Sequence, residues 1–139
     1  EEELRRDPPP GLTWERWVPY DRLGDELGTA AIALGVFGTS EKAARVVPNK
    51  VWQAMAARRP VVTADTPAVR EQLESGRSAL LVPPGDAAAL AAALRRLAAD
   101  PALRDRLAAA GHERWRDHGA PHAAASALRD ALLPLTLSA

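Results

Sequence analysis

The chain has 139 residues, 47% hydrophobic and 26% charged, which is the make-up of one globular domain and excludes a wholly disordered polypeptide. Its 18 basic and 18 acidic residues cancel, so no net positive field draws it to nucleic acid or to an anionic membrane. There is no cysteine, which excludes disulfide frameworks, thiolate nucleophiles and cysteine-ligated zinc, and no apolar run reaches the roughly 18 residues of a membrane-spanning helix. The acidic start at Glu1, Glu2 and Glu3 is the opposite of a signal peptide. The expected setting is a soluble domain of the cytoplasm.

In chain order, residues 1–6 read as the end of a helix, stopped by the proline- and glycine-rich loop 7–11. Residues 12–18 alternate apolar and polar side chains, the period-2 signal of a strand that Pro19 ends. A short amphipathic helix follows over 21–27, with Leu23 and Leu27 four residues apart. Residues 30–37 form an unbroken apolar run, which predicts a strand buried on both faces of a parallel sheet.

After the polar loop 38–45, Pro48 opens a helix over 48–58 that carries Val51, Trp52 and Met55 at helical spacing. The next strand is 60–63. Asp65, Thr66 and Pro67 then start a helix that runs to about Glu74. A third short buried strand, 79–82, turns out through Pro83, Pro84 and Gly85. Asp86 is the expected N-cap of an alanine-rich helix to Ala99 with a stripe of Leu90, Leu94 and Leu97. Asp100 and Pro101 restart a helix with Leu103 and Leu107 inward, and a last helix spans about 121–133. Strands alternating with helices predict an α/β fold, a Rossmann-like parallel sheet of about four strands flanked by helices, with a helical C-terminal tail.

Arginine outnumbers lysine 16 to 2, so the two lysines, Lys42 and Lys50, stand out; they flank the loop between the apolar run and the next helix. In an open parallel sheet, ligands bind beyond the carboxyl ends of the strands, and a helix N-terminus attracts anions. Lys42, Arg45 and Lys50 oppose the dipole of the helix they precede, a cost that a bound anion offsets. The residues predict a phosphate or diphosphate pocket of Thr39, Ser40, Lys42, Arg45, Asn49 and Lys50. The same loop reads equally as a solvated surface whose charges pair with Glu41 and nearby acids. Trp14, Trp17, Trp52 and Trp115 read as core or half-buried anchors. His112, His118 and His122 show no ligand spacing, and no metal site is expected.

The run Pro48, Asn49, Lys50, Gln53, Met55, Ala56, followed by Pro60, Val61 and Val62, resembles the donor-site signature of retaining GT-B glycosyltransferases of the GT4-like group. Downstream, Arg70, Glu71, Gly76 and the stretch from Leu80 through Asp86 match that family's order and spacing, and upstream so do Trp17, Val18, Pro19, Tyr20 and Leu23. The resemblance covers nearly the whole chain. It implies that residues 1–139 are most of the C-terminal, nucleotide-sugar-binding half of such an enzyme. An N-terminal acceptor domain, against which this half packs, and the first strands of the sheet lie elsewhere.

The implied activity is transfer of a sugar from a nucleoside diphosphate sugar to an acceptor. No cofactor or metal is implied, no catalytic residue is assigned, and the isolated 139 residues are expected to be inactive. The resemblance places Asn49 and Lys50 against the diphosphate and Gln53 where a glutamate usually holds the ribose hydroxyls. Arg45 stands where a second glutamate usually meets the donor sugar. It also reads Glu71 as a structural contact near the donor pocket. The loss of both acids fits two alternatives: a non-catalytic nucleotide- or partner-binding domain of the same ancestry, or a GT-B-like sugar-nucleotide epimerase.

Overall fold

A computed structural model describes residues 6–136. Among them, strands β1 (Ala33–Leu34), β2 (Val61–Ala64) and β3 (Leu80–Val82) form a parallel sheet in the order β1-β2-β3. Ala33 pairs with Val61 and Leu34 with Val62; Val62, Thr63 and Ala64 pair with Leu80, Leu81 and Val82. A 3-10 turn, Tyr20–Arg22, leads into α1 (Leu23–Thr29). The sheet strands alternate with α2 (Glu41–Ala44), α3 (Asn49–Ala56) and α4 (Pro67–Gln72). They are followed by α5 (Ala87–Ala99), α6 (Pro101–Arg114), a π turn at Trp115–Gly119 and α7 (Pro121–Thr136).

Sequence sets the helix starts through side-chain caps. Thr66 Oγ1 accepts from the Val69 amide ahead of α4, Asp86 Oδ1 from the Ala89 amide at 2.8 Å and Asp100 Oδ1 from the Leu103 amide at 2.8 Å. Pro67 and Pro101 occupy the first turns, where a missing N–H costs nothing. The pleat then divides the core. Val61 and Ala33 point to one face, where Val51, Ala54 and Met55 of α3 and Val69 of α4 meet them. Val62, Leu80 and Val82 point to the other, against Ala93 and Leu97 of α5 and Leu103 and Leu107 of α6. Farther along, α6 crosses to the end of α3. Its Gly111 lies so close to the Ser78 carbonyl that an added Cβ would sit 3.0 Å from that oxygen.

Four expectations need correction. Residues 12–18 form no strand, because a strand needs a neighbour for its backbone donors and acceptors and none stands beside it among the described residues. Trp14 and Trp17 on that segment are accordingly 45% and 75% exposed rather than buried, whereas Trp52 and Trp115 pack half-buried on the core. Within 30–37, only Ala33–Leu34 joins the ladder. Burial alternates there instead of being complete, with Ala33 and Gly35 buried but Leu34 and Val36 exposed. The reason is position: β1 is the sheet edge among the described residues, and α5 and α6 lie over β2 and β3. The sheet therefore has three described strands rather than about four. The expected helix end at 1–6 falls almost wholly outside the described residues.

Candidate functional site

The carboxyl ends of the three strands open on one side of the molecule, and the loops leaving them are tied together. The Gly35 amide donates to the Val62 carbonyl at 2.8 Å, and the Asp65 amide to the Val82 carbonyl at 2.7 Å. The Gly85 amide reaches past β2 to the Phe37 carbonyl at 2.9 Å. Gly85 adopts φ 73°, and a Cβ there would lie 2.9 Å from Thr39 Cγ2, so the loop after β3 presses on the loop that carries Thr39.

Within that loop, the Ser40 hydroxyl accepts from the Ala43 amide and starts the short α2, which places Glu41, Lys42 and Arg45 on exposed positions. Arg45 forms an ion pair with Glu41 one helical turn before it, both side chains being well exposed. Lys42 and Lys50 have no acidic partner among the described residues. The two sequence readings of this loop thus divide its cations. Arg45 is paired with an acid as a solvated surface would have it, while the lysines keep their charge uncompensated.

Helix α3 begins behind them. Its N-cap is Pro48, which supplies no side-chain acceptor, and its first turn contains no acid, so Lys50 stands against the dipole without local compensation. Asn49 and Lys50 are exposed at this end. One turn on, Gln53 is half-buried and turns toward α1, where it shares a pocket of about 500 Å³ with Tyr20, Asp21, Leu23 and Leu27. Thr39, Ser40, Lys42 and Arg45 lie on the loop after β1, and Asn49, Lys50 and Gln53 lie on the helix that this loop feeds. The pocket beside Gln53 is new relative to the sequence reading. Leu23 and Leu27 are legible as an apolar stripe, but which helix that stripe meets is a tertiary fact.

On the same edge, Arg70 clamps Asp65 at the exit of β2 with two hydrogen bonds of 2.5 and 2.7 Å. These bonds and the positive charge beside it hold the Asp65 carboxyl below its usual range, against the smaller opposing effect of burial. Glu71 faces a different cleft of about 420 Å³, walled by α4, the loop before β3 and Arg114 of α6. The histidines take structural places: His112 Nδ1 contacts the Met55 carbonyl at 3.1 Å near the end of α3, and His118 Nε2 meets Arg114. Among the described residues no three His, Cys, Asp or Glu side chains gather as metal ligands do, and no helix is long and apolar enough to cross a membrane.

This geometry has known counterparts. The solved sucrose-phosphate synthase from Thermosynechococcus elongatus superposes with a TM-score of 0.74 at 25% identity, over 91% of this chain and 31% of that one. A phosphatidyl-myo-inositol mannosyltransferase from Mycobacterium leprae (strain TN) is 50% identical over 64 residues, which is 46% of this chain and 17% of the relative. The chain therefore spans about a third of the one protein and less than a fifth of the other. The profile of the family described as "Glycosyl transferases group 1" matches residues 3–100. A parallel sheet flanked by helices, a helical C-terminal stretch and a family match over more than half its length lead to one assignment: the chain belongs to the group 1 glycosyl transferases, as a Rossmann-like domain of the GT-B fold.

Proposed function

We propose that the chain is the donor-binding part of a retaining glycosyltransferase, which moves a sugar from a nucleoside diphosphate sugar to an acceptor. The observation that carries this reading is the start of α3. An eight-residue helix with no acid in its first turn and no side-chain cap points its N-terminus to the carboxyl edge of a parallel sheet, with Lys50 in its first turn and Lys42 on the stretch that feeds it, neither with an acidic partner among the described residues. Free amides, the dipole and two lysines are what a diphosphate needs. Thr39, Ser40 and Asn49 would add neutral donors, and Arg45 would join once shared between Glu41 and the ligand. Gln53, a turn farther along, would hold the ribose through its side-chain amide.

Catalysis in this reading is electrostatic. As the bond from sugar to diphosphate breaks, negative charge grows on the leaving phosphate, and preorganised cations and amides stabilise it more than they stabilise the bound donor. No dedicated metal is part of the reading. The remaining strands of the sheet and an acceptor-binding domain belong to the rest of the polypeptide, which the small share of each relative's length supports. A cytoplasmic setting belongs to the same reading. The Glu41–Arg45 pair, together with Gln53 in a ribose-holding place, favours a second reading as a nucleotide-binding domain without turnover.

The test is donor kinetics of the whole enzyme. Lys50→Ala is expected to lower kcat/KM for the donor about 100-fold, in the range of losing one transition-state donor, and Arg45→Ala about tenfold because Glu41 already shares its charge. If both variants keep wild-type kinetics, the diphosphate assignment is wrong.

A further inference from the structure

The pocket between α1 and α3 carries information about the nucleotide. If the diphosphate lies at Asn49 and Lys50 and the ribose at Gln53, the base continues in the same direction, away from the phosphates. Measured along α3 at about 1.5 Å per residue, Gln53 is roughly 6 Å beyond Asn49 and Ala57 roughly 12 Å. The 500 Å³ pocket occupies that stretch, since it runs from Gln53 to Ala57 and is closed on the α1 side by Leu23 and Leu27. Its walls are mainly apolar, suited to the flat faces of a base.

One ionised group lines this pocket: the carboxylate of Asp21. It has no hydrogen bond or ion pair among the described residues, because the adjacent Arg22 turns away to Glu26 at 3.1 Å. A free carboxylate beside an apolar slot selects ligands by their donors. Guanine presents two neighbouring donors, N1–H and the 2-amino group, spaced to meet both oxygens of a carboxylate. Adenine places the N1 lone pair beside its 6-amino group, and cytosine places the N3 lone pair beside its 4-amino group. Uracil flanks its N3–H with two carbonyl oxygens. Each of these sets an acceptor against the carboxylate, which repels it.

We infer that Asp21 is a specificity-determining residue that reads the Watson–Crick edge of guanine, so that the donor is a guanosine diphosphate sugar. This rests on the donor-binding reading above and adds the identity of the base. The bland role of Asp21 is to favour the N-terminal end of α1 by its charge. That role would not distinguish one nucleotide from another.

The experiment is calorimetric titration of the full polypeptide carrying this chain with GDP, IDP, UDP and ADP. GDP is expected to bind about 10- to 100-fold more tightly than UDP or ADP, the range of a two-pronged charged contact, and about tenfold more tightly than IDP, which lacks the 2-amino group. Asp21→Ala is expected to remove most of the GDP preference while UDP affinity stays within about twofold, which also reports that the variant is folded. Asp21→Asn, with one acceptor left, should fall between. Equal binding of GDP and UDP by the wild type, or a GDP-to-UDP ratio unchanged in Asp21→Ala, overturns the guanine inference. In that event the donor reading still stands if Lys50→Ala weakens all four nucleotides alike. If none of the four binds, both fail.

Discussion

Arg58 closes α3 with φ 55°, the left-handed region that a side chain enters at a cost. Its amide donates to the Met55 carbonyl and the Arg59 amide to the Ala54 carbonyl at 2.9 Å, the paired bonds of a Schellman cap, in which the left-handed position is usually glycine. Arg58→Gly should keep both bonds and relieve the strain, less the extra freedom glycine has when unfolded. The expected gain is about 0.5–1 kcal/mol, seen as a higher urea midpoint at unchanged slope. At the other end of β2, the Arg70 clamp lowers the Asp65 pKa, so its contribution to stability is complete above the unfolded value near 3.9 and is lost as pH falls through the lower folded value. Arg70→Leu should return the Asp65 titration toward the ordinary carboxylate range by NMR and flatten the acid limb of stability below about pH 4. An unchanged Asp65 titration would show that the clamp does not govern this carboxyl.

The elements differ in how far sequence reveals them. Helices α4, α5 and α6 are legible almost to the residue because their signals are local: Thr66, Asp86 and Asp100 each cap a helix within three residues of themselves. The Glu41–Arg45 pair is local in the same way, spanning the single turn of α2 from its first residue to its C-cap. Strands are not local. The alternation over 12–18 is a real strand signal, but a ladder depends on a neighbour that the segment cannot specify. Likewise the apolar run at 30–37 cannot tell an edge position from a central one.

At the exit of β1, Gly35 lies directly against Thr63 of β2. A Cβ on Gly35 would lie 2.2 Å from Thr63 Oγ1 and 2.6 Å from Thr63 Cβ, with Val51 Cγ2 behind at 3.1 Å. Thr63 is 1% exposed, and its hydroxyl has no hydrogen-bond partner among the described residues, so the side chain has little room to yield. Gly35→Ala is therefore expected to destabilise the fold by about 2–3 kcal/mol, as overpacking does, with the largest disturbance in the first turn of α3. Denaturant unfolding of the variant gives the number, and a loss below about 0.5 kcal/mol would mean that β1 can slide away from β2.

At the scale of the molecule, the site is made by convergence. A loop after β1, a loop after β3 and the start of α3 come from separate parts of the chain, and only the parallel order of the sheet brings them to one edge. Each member of this edge lies on a stretch recognisable in the sequence, and the common purpose proposed for them comes from the resemblance to a family rather than from any one stretch. It did not reveal the slot between α1 and α3, because Asp21 and Gln53 are 32 residues apart and nothing in either stretch refers to the other.

The exposed flank of β1 has a further consequence. From Ile32 through Phe37 the chain carries no charge and no proline, Leu34 and Val36 are uncovered, and the outward amides and carbonyls have no strand beside them among the described residues. Natural sheets protect such a margin with lysine, proline, a bulge or a covering element, and among the described residues none of these devices stands on it. A polypeptide trimmed to these residues offers its neighbours a short template for cross-chain strand addition, with self-association and precipitation on concentration as the expected outcome. The same margin lends itself to rescue by design, for instance a charged residue at the outward-facing Leu34 or a grafted capping strand.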